Sequence, residues 1–202
     1  MDKNVYLYVC PGLADWEASL AIAMISNLNT DIPKTISYRI ITFGLTGEPV
    51  TTSGGVTILP DTDVRSVDLT KAAMVILPGS SQYEHDDPTQ LVPLIRACVD
   101  TNIPVAAICG ATLFLANHGF LDTVRHTSCG QEWLKQHAPA YRGEHLYEHA
   151  PSVSDGGIIT ANPLGFVDFA YHIIQTLDVF PPEFLEVWYG AVKSGYLNVD
   201  QF

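Results

Sequence analysis

Four cysteines, seven histidines and a scatter of carboxylates are the side chains here able to do covalent or acid–base chemistry. Cys109 stands out by its setting. It ends the apolar run Ile103-Pro104-Val105-Ala106-Ala107-Ile108 and is followed by the small residues Gly110, Ala111 and Thr112. A buried strand feeding a helix through small residues is how a nucleophile is held in a tight turn, because little side-chain bulk is tolerated where the backbones crowd. At a helix N-terminus the unpaired N–H groups and the positive end of the dipole favour a thiolate. This reading therefore expects the Cys109 pKa to fall and Cys109 to be the most reactive thiol. The same residue fits a buried structural cysteine, since a free thiol packs as a small hydrophobe.

Two other strand ends, Cys10-Pro11-Gly12 and Pro78-Gly79-Ser80, carry small residues of the same kind. If these strands are parallel neighbours, all three ends open on one edge and form one pocket. Glycine lets backbone N–H groups approach a bound oxygen closely, which makes Gly79, Ser80 and Gly110 candidates for an oxyanion hole. Glu17, one helical turn beyond the first strand, is placed to hydrogen-bond the Cys109 sulfur. A carboxylate there also stabilises a helix N-terminus with no role in chemistry.

The elements that must position these residues alternate along the chain. Strand-like Val5 to Cys10 precedes a helix from Asp15 to Asn27, and Ser37 to Phe43 is a second strand. Pro49 to Ile58 reads as a hairpin around Ser53-Gly54-Gly55. Ala72 to Leu77 is a third buried strand, Thr89 to Val99 a helix, and the run to Cys109 a further strand. Thr112 to Asn117 continues as the elbow helix, Gly130 to Gln136 is a short helix, and Gly157 to Ala161 a late strand. Phe166 to Leu177 closes the domain. Continuous apolar strands separated by helix-length segments imply a mostly parallel sheet covered on both faces. Residues 1–178 form the expected domain. Residues 179–202 form a helical extension, with Phe184, Leu185, Trp188 and Val192 at helical spacing, that packs on the domain, covers the pocket or forms a dimer seam.

The chain has 202 residues and a formal charge of −12, which repels phosphate backbones and anionic lipid, so nucleic acid and membrane are not expected partners. No apolar run is long enough to span a bilayer, and no export signal is visible. Cys10, Cys98, Cys109 and Cys129 form no C-x-x-C pair, which suits free thiols in a reducing cytoplasm.

The chain resembles the ThiJ/PfpI superfamily over roughly residues 4 to 178. The carriers are Gly12-Leu13-Ala14-Asp15-Trp16-Glu17, Ile76-Leu77-Pro78-Gly79, Ala106-Ala107-Ile108-Cys109-Gly110-Ala111 and Asp155-Gly156-Gly157-Ile158-Ile159-Thr160-Ala161. The resemblance implies a flavodoxin-like α/β three-layer sandwich, Cys109 as the elbow nucleophile, Glu17 touching its sulfur, and a homodimer. His126-Thr127-Ser128, Tyr141-Arg142-Gly143-Glu144 and Tyr147 are most similar to a bacterial branch labelled glutamine amidotransferase-like. A glutaminase pairs its cysteine with a late His-x-Glu, and here that stretch reads Ala161-Asn162-Pro163-Leu164-Gly165. Protease-like members carry histidine directly after the cysteine, where this chain has Gly110.

With both customary bases missing, His126 becomes the candidate proton carrier, since it follows the strand-like Thr123-Val124-Arg125 near the site in the family fold. His118 reads as a helix-end residue, and His85, His137 and His172 as surface or packing residues. His145-Leu146-Tyr147-Glu148-His149 matches H-x-x-E-H, a zinc signature when helical, but the resemblance puts it in extended structure, so no metal and no cofactor are expected. Cys129 aligns where some relatives carry a histidine or tyrosine facing the nucleophile, which makes it a possible redox partner of Cys109 or simply a small residue at a helix start. The expected function is a cysteine-dependent hydrolase or lyase of a small amide or carbonyl compound. The alternative is a non-enzymatic oxidative-stress or redox-sensing protein working by oxidation of Cys109.

Overall fold

A computed structural model describes residues 3–26 and 38–196. The strands are β1 (Lys3–Tyr8), β2 (Tyr38–Gly44), β3 (Val50–Thr51), β4 (Thr57–Ile58), β5 (Thr62–Asp63), β6 (Ala72–Leu77), β7 (Val105–Ile108), β8 (Ser152–Asp155) and β9 (Ile158–Ala161). The helices are α1 (Asp15–Ser26), α2 (Val92–Asp100), α3 (Ala111–Asn117), α4 (Gln131–His137), α5 (Phe166–Thr176) and α6 (Pro182–Ser194). The expected ends at Asn27 and Ser37 lie outside the described residues.

Seven strands form one sheet in the order β5-β2-β1-β6-β7-β9-β8, and β3 with β4 makes the separate hairpin read around Ser53-Gly54-Gly55. All neighbours in the large sheet are parallel except β8, which runs antiparallel to β9. The continuous apolar runs follow from this: β7 is buried at every position and β6 at all but one, because helices cover both faces. α1, α5 and α6 pack in succession; α3 packs against β7 and α4. β8 and β5 were not legible beforehand. Ser152-Val153-Ser154-Asp155 has one apolar residue in four, and β5 is only two residues long. Thr123-Val124-Arg125, expected to be strand-like, is loop, with an isolated bridge only at His126 to Tyr147.

The chain moves outward from β1 to β2 on one side, then crosses to β6, β7 and β9 on the other. The order reverses between β1 and β6, and such a switch point at the carboxyl ends of strands is where open α/β sheets bind ligands. Cys10-Pro11-Gly12, Pro78-Gly79-Ser80 and Cys109-Gly110 all leave the sheet at that edge.

Of the three fates open to the C-terminal extension, the fold shows packing on the domain. Leu185 and Trp188 are buried. The Tyr189 hydroxyl donates to Asp168 at 2.7 Å, Lys193 pairs with the same carboxylate at 2.8 Å, and the Tyr171 hydroxyl donates to Glu186 at 2.6 Å. α6 stops at Gly195, whose φ of 68° is the left-handed conformation that ends helices. No helix among the described residues is long and apolar enough to cross a membrane.

Candidate active site

The elbow is strained. Cys109 has φ of 57°, a left-handed conformation that costs a non-glycine residue about 1–2 kcal/mol and that surrounding structure must enforce. Its N–H donates to the Ala161 carbonyl at the end of β9 at 2.9 Å, and its carbonyl accepts from Thr112 N–H at 3.0 Å and Thr112 Oγ1 at 2.6 Å. Two glycines make room. A Cβ on Gly79 would lie 2.6 Å from both the Cys109 Cβ and a Glu17 carboxyl oxygen, and one on Gly110 would lie 2.5 Å from the Ser80 carbonyl. Small residues flank the cysteine because backbone, not solvent, fills that space.

Glu17 reaches this point from the first turn of α1. Asp15 fixes the start of that helix to the hairpin, accepting from Gly54 N–H at 2.7 Å and Ser53 Oγ at 3.0 Å. Glu17 is fully buried, and its Oε2 accepts from Gly79 N–H at 2.6 Å. Oε1 is buried without a hydrogen-bond partner. Burial pushes the carboxyl pKa up, partly offset by the Gly79 N–H and the neighbouring Cys109 thiol. Burying a carboxyl oxygen with nothing to accept penalises the charged form, so the proton is held more tightly than on a solvated glutamate.

The Gly79–Glu17 bond corrects one expectation. Gly79 N–H is committed to the carboxylate and is not free to hold an oxyanion. Ser80 N–H has no hydrogen-bond partner among the described residues, and Gly110 N–H lies against the Cys109 sulfur, where it favours the thiolate. The Ser80 hydroxyl is structural, donating to the Pro11 carbonyl at 2.9 Å and accepting from Gln82 N–H at 3.1 Å.

Cys129 is brought to Cys109, with the two Sγ atoms 3.8 Å apart. Its neighbours are pinned. Thr127 N–H donates to Thr160 Oγ1 at 2.8 Å, and the Ser128 hydroxyl bonds the Thr112 hydroxyl at 2.7 Å. The two thiols are within hydrogen-bond reach of each other, with Cys129 donating to Cys109 when both are protonated. The Cys109 S–H stabilises a Cys129 thiolate and lowers the Cys129 pKa, while the Cys109 pKa rises for the same reason, with burial and the charge of Glu17 adding to the rise. The expected fall at Cys109 is thus reversed. The helix terminus and Gly110 N–H act there, but a thiol partner and a buried carboxylate outweigh them. Cys10 and Cys98 are buried, which pushes each thiol up to about 12.

His126 is not brought to Cys109. It is fully buried, Nδ1 lies 2.7 Å from the Val124 carbonyl, and Nε2 lies 2.5 Å from the Tyr141 hydroxyl. Both ring nitrogens are engaged in tying a loop together, and burial lowers the imidazole pKa. His118 pairs with Asp87 at 2.9 Å, and His172 bonds Ser152 at 2.9 Å. In the H-x-x-E-H stretch, His145 lies in a single 3-10 turn and His149 in the loop beyond it, so no α-helix sets the two imidazoles one turn apart.

Two hollows border the carboxyl edge of the sheet. A cavity of about 300 Å³ is lined by Tyr8, Cys10, Val50 and Tyr83. A separate cleft of about 430 Å³ is lined by residues that include Cys129, Tyr147, His149, Asn162 and Leu164, with Cys109 outside that lining.

A mostly parallel sheet, a left-handed cysteine elbow after β7 and a buried glutamate beside that cysteine define the class of α/β protein. The chain belongs to the DJ-1/PfpI family, which residues 3–176 match. It is 35% identical to the uncharacterized protease YoaZ of Bacillus subtilis over 192 residues, 95% of this chain and 91% of that protein. The crystal structure of a ThiJ/PfpI family protein from Bacillus anthracis superposes with a TM-score of 0.87 at 34% identity, covering 100% of this chain and 94% of that one. A DJ-1 superfamily protein from Agrobacterium tumefaciens gives a TM-score of 0.81 at 31% identity, over 95% of this chain and 99% of that one.

Proposed function

We propose that the protein is a cysteine-dependent hydrolase or lyase acting on a small amide or carbonyl compound through Cys109. The observation that carries this reading is the elbow itself: a non-glycine residue held at φ 57° between a buried carboxyl and a second sulfur. Backbone strain of this kind concentrates at functional positions. In the proposed reaction the Cys109 sulfur attacks the carbonyl carbon while its proton passes to Cys129. Ser80 and Gly110 N–H groups hold the developing oxyanion, and Glu17 stores or returns the second proton. Glu17 takes the proton role in preference to His126, whose nitrogens are engaged elsewhere. The name of the Bacillus subtilis relative points to proteolysis, but Gly110 stands where a protease-type histidine would follow the cysteine.

The test is a panel of small amides and α-oxoaldehydes offered to the reduced protein and to Cys109→Ser. Turnover that falls at least about 100-fold in the variant supports the reading. Turnover that survives the substitution overturns it.

A second reading is favoured by the 3.8 Å approach of Cys129: a redox-sensing protein whose output is the oxidation state of this thiol site. Peroxide titration followed by intact mass separates the two. We place the protein in a reducing cytoplasm on the strength of its four free thiols. A homodimer is proposed from the habit of the family, with light scattering as its check.

A further inference from the structure

We propose that Cys109 and Cys129 form a dithiol–disulfide centre that reduces hydroperoxides, with Cys129 meeting the oxidant and Cys109 closing the bond. The inference deepens the reading of this cleft as a thiol site; it shares the accessible cysteine pair with that reading and does not need a carbonyl substrate.

Three observations carry it. The two sulfurs are 3.8 Å apart, so reaching a disulfide length of about 2.05 Å requires a closure of less than about 2 Å. Cys129 is exposed and lines the cleft, whereas Cys109 is only partly exposed and is not part of that lining, so Cys129 is the sulfur that a solute in the cleft meets. Cys129 also lies between a pinned segment and a glycine. Thr127 and Ser128 are buried and hydrogen-bonded, while Gly130, at φ 156°, gives the backbone after the thiol a freedom that other residues lack. When Cys129 ionises, the Cys109 S–H hydrogen-bonds its thiolate, which lowers the Cys129 pKa and keeps a proton on Cys109, where the next step needs it.

The chemistry balances. The Cys129 thiolate attacks the outer oxygen of a hydroperoxide, the O–O bond breaks, and the departing alkoxide takes the Cys109 proton and leaves as an alcohol. Cys129 is then a sulfenic acid and Cys109 a thiolate. The Cys109 sulfur attacks the Cys129 sulfur, the S–O bond breaks, hydroxide leaves, and the disulfide forms. Two electrons pass from the thiol pair to the peroxide. An external dithiol restores the reduced state by exchange.

Treating the reduced protein with one equivalent of hydrogen peroxide, blocking with maleimide and digesting without reductant tests this directly. A Cys109–Cys129 cross-linked peptide within a single chain, reversed by dithiothreitol, is the expected result. Cys109→Ser should leave a Cys129 sulfenic acid that dimedone traps. Cys129→Ser, a change at an exposed position, should consume peroxide at least about tenfold more slowly. Recovery of Cys109 as sulfinate with Cys129 unmodified overturns the proposal, as does a disulfide found only between chains. The amide and oxoaldehyde panel on fully reduced protein separates the two readings. A disulfide without carbonyl turnover sinks only the hydrolase or lyase, and turnover without a disulfide sinks only the redox centre.

Discussion

Glu17 accepts a 2.6 Å hydrogen bond from Gly79 N–H with one carboxyl oxygen and buries the other beside the Cys109 sulfur with no hydrogen-bond partner. The folded protein therefore holds the Glu17 proton more tightly than the unfolded chain does, because burial raises the carboxyl pKa. Stability from this residue is then greatest below the ordinary glutamate range and falls as pH rises through the raised value.

Glu17→Gln removes that loss. We expect the variant to melt about 2–4 °C above the wild type near pH 8, an effect of about 1 kcal/mol, with the difference closing as pH approaches 4. Alkylation of Cys109 should shift to lower pH in the variant, since a carboxylate no longer opposes the thiolate. Calorimetry and a pH series of iodoacetamide rates read both. An unchanged alkylation profile would leave Glu17 a structural residue only.

The elbow predicts opposite effects for two small substitutions. Gly79→Ala places a Cβ 2.6 Å from the Cys109 Cβ, an overpacking that should cost about 1–3 kcal/mol and slow Cys109 labelling. Cys109→Gly relieves a φ of 57° and should be about 1 kcal/mol more stable than Cys109→Ala. Urea unfolding of the three variants is the measurement. An alanine at position 109 as stable as glycine would mean the turn carries no strain.

His126 should matter for stability and not for reactivity. His126→Leu leaves the half-buried Tyr141 hydroxyl and Val124 carbonyl without their partner, at a cost of about 1–2 kcal/mol, while the folded variant labels at Cys109 at the wild-type rate. Burial depresses the imidazole pKa, so the stability it supports is present above the ordinary histidine range near 6.5 and is lost as pH falls through the depressed value. The variant should show a shallower acid slope between about pH 7 and 5 in urea titrations. A large loss of labelling in folded His126→Leu would return the histidine to the chemistry.

The sheet was legible where burial writes itself into composition: Ala72–Leu77 and Val105–Ile108 are apolar because both faces are covered. Ser152–Asp155 escaped notice because an edge strand of a mixed sheet needs no apolar run. At the site, the small residues around Cys109 announced the elbow, and the register of α1 announced Glu17. The commitment of Gly79 N–H to that carboxylate was not legible, since a glycine that donates to a side chain and one that waits for an oxyanion look alike in sequence. The loop role of His126 was hidden for a similar reason: Tyr141, its partner, is 15 residues away in an irregular segment.

If Cys109 and Cys129 act as one reactive thiol site, limited alkylation with peptide mapping finds both of them first. Reduced protein exposed briefly to substoichiometric iodoacetamide at neutral pH should carry the label on Cys109 and Cys129, with Cys10 and Cys98, whose thiols burial pushes up to about 12, unmodified. Labelling of Cys129 should slow several-fold in Cys109→Ala, because alanine carries no donor to stabilise its thiolate. Faster labelling of Cys10 or Cys98 than of either pocket thiol would contradict the account.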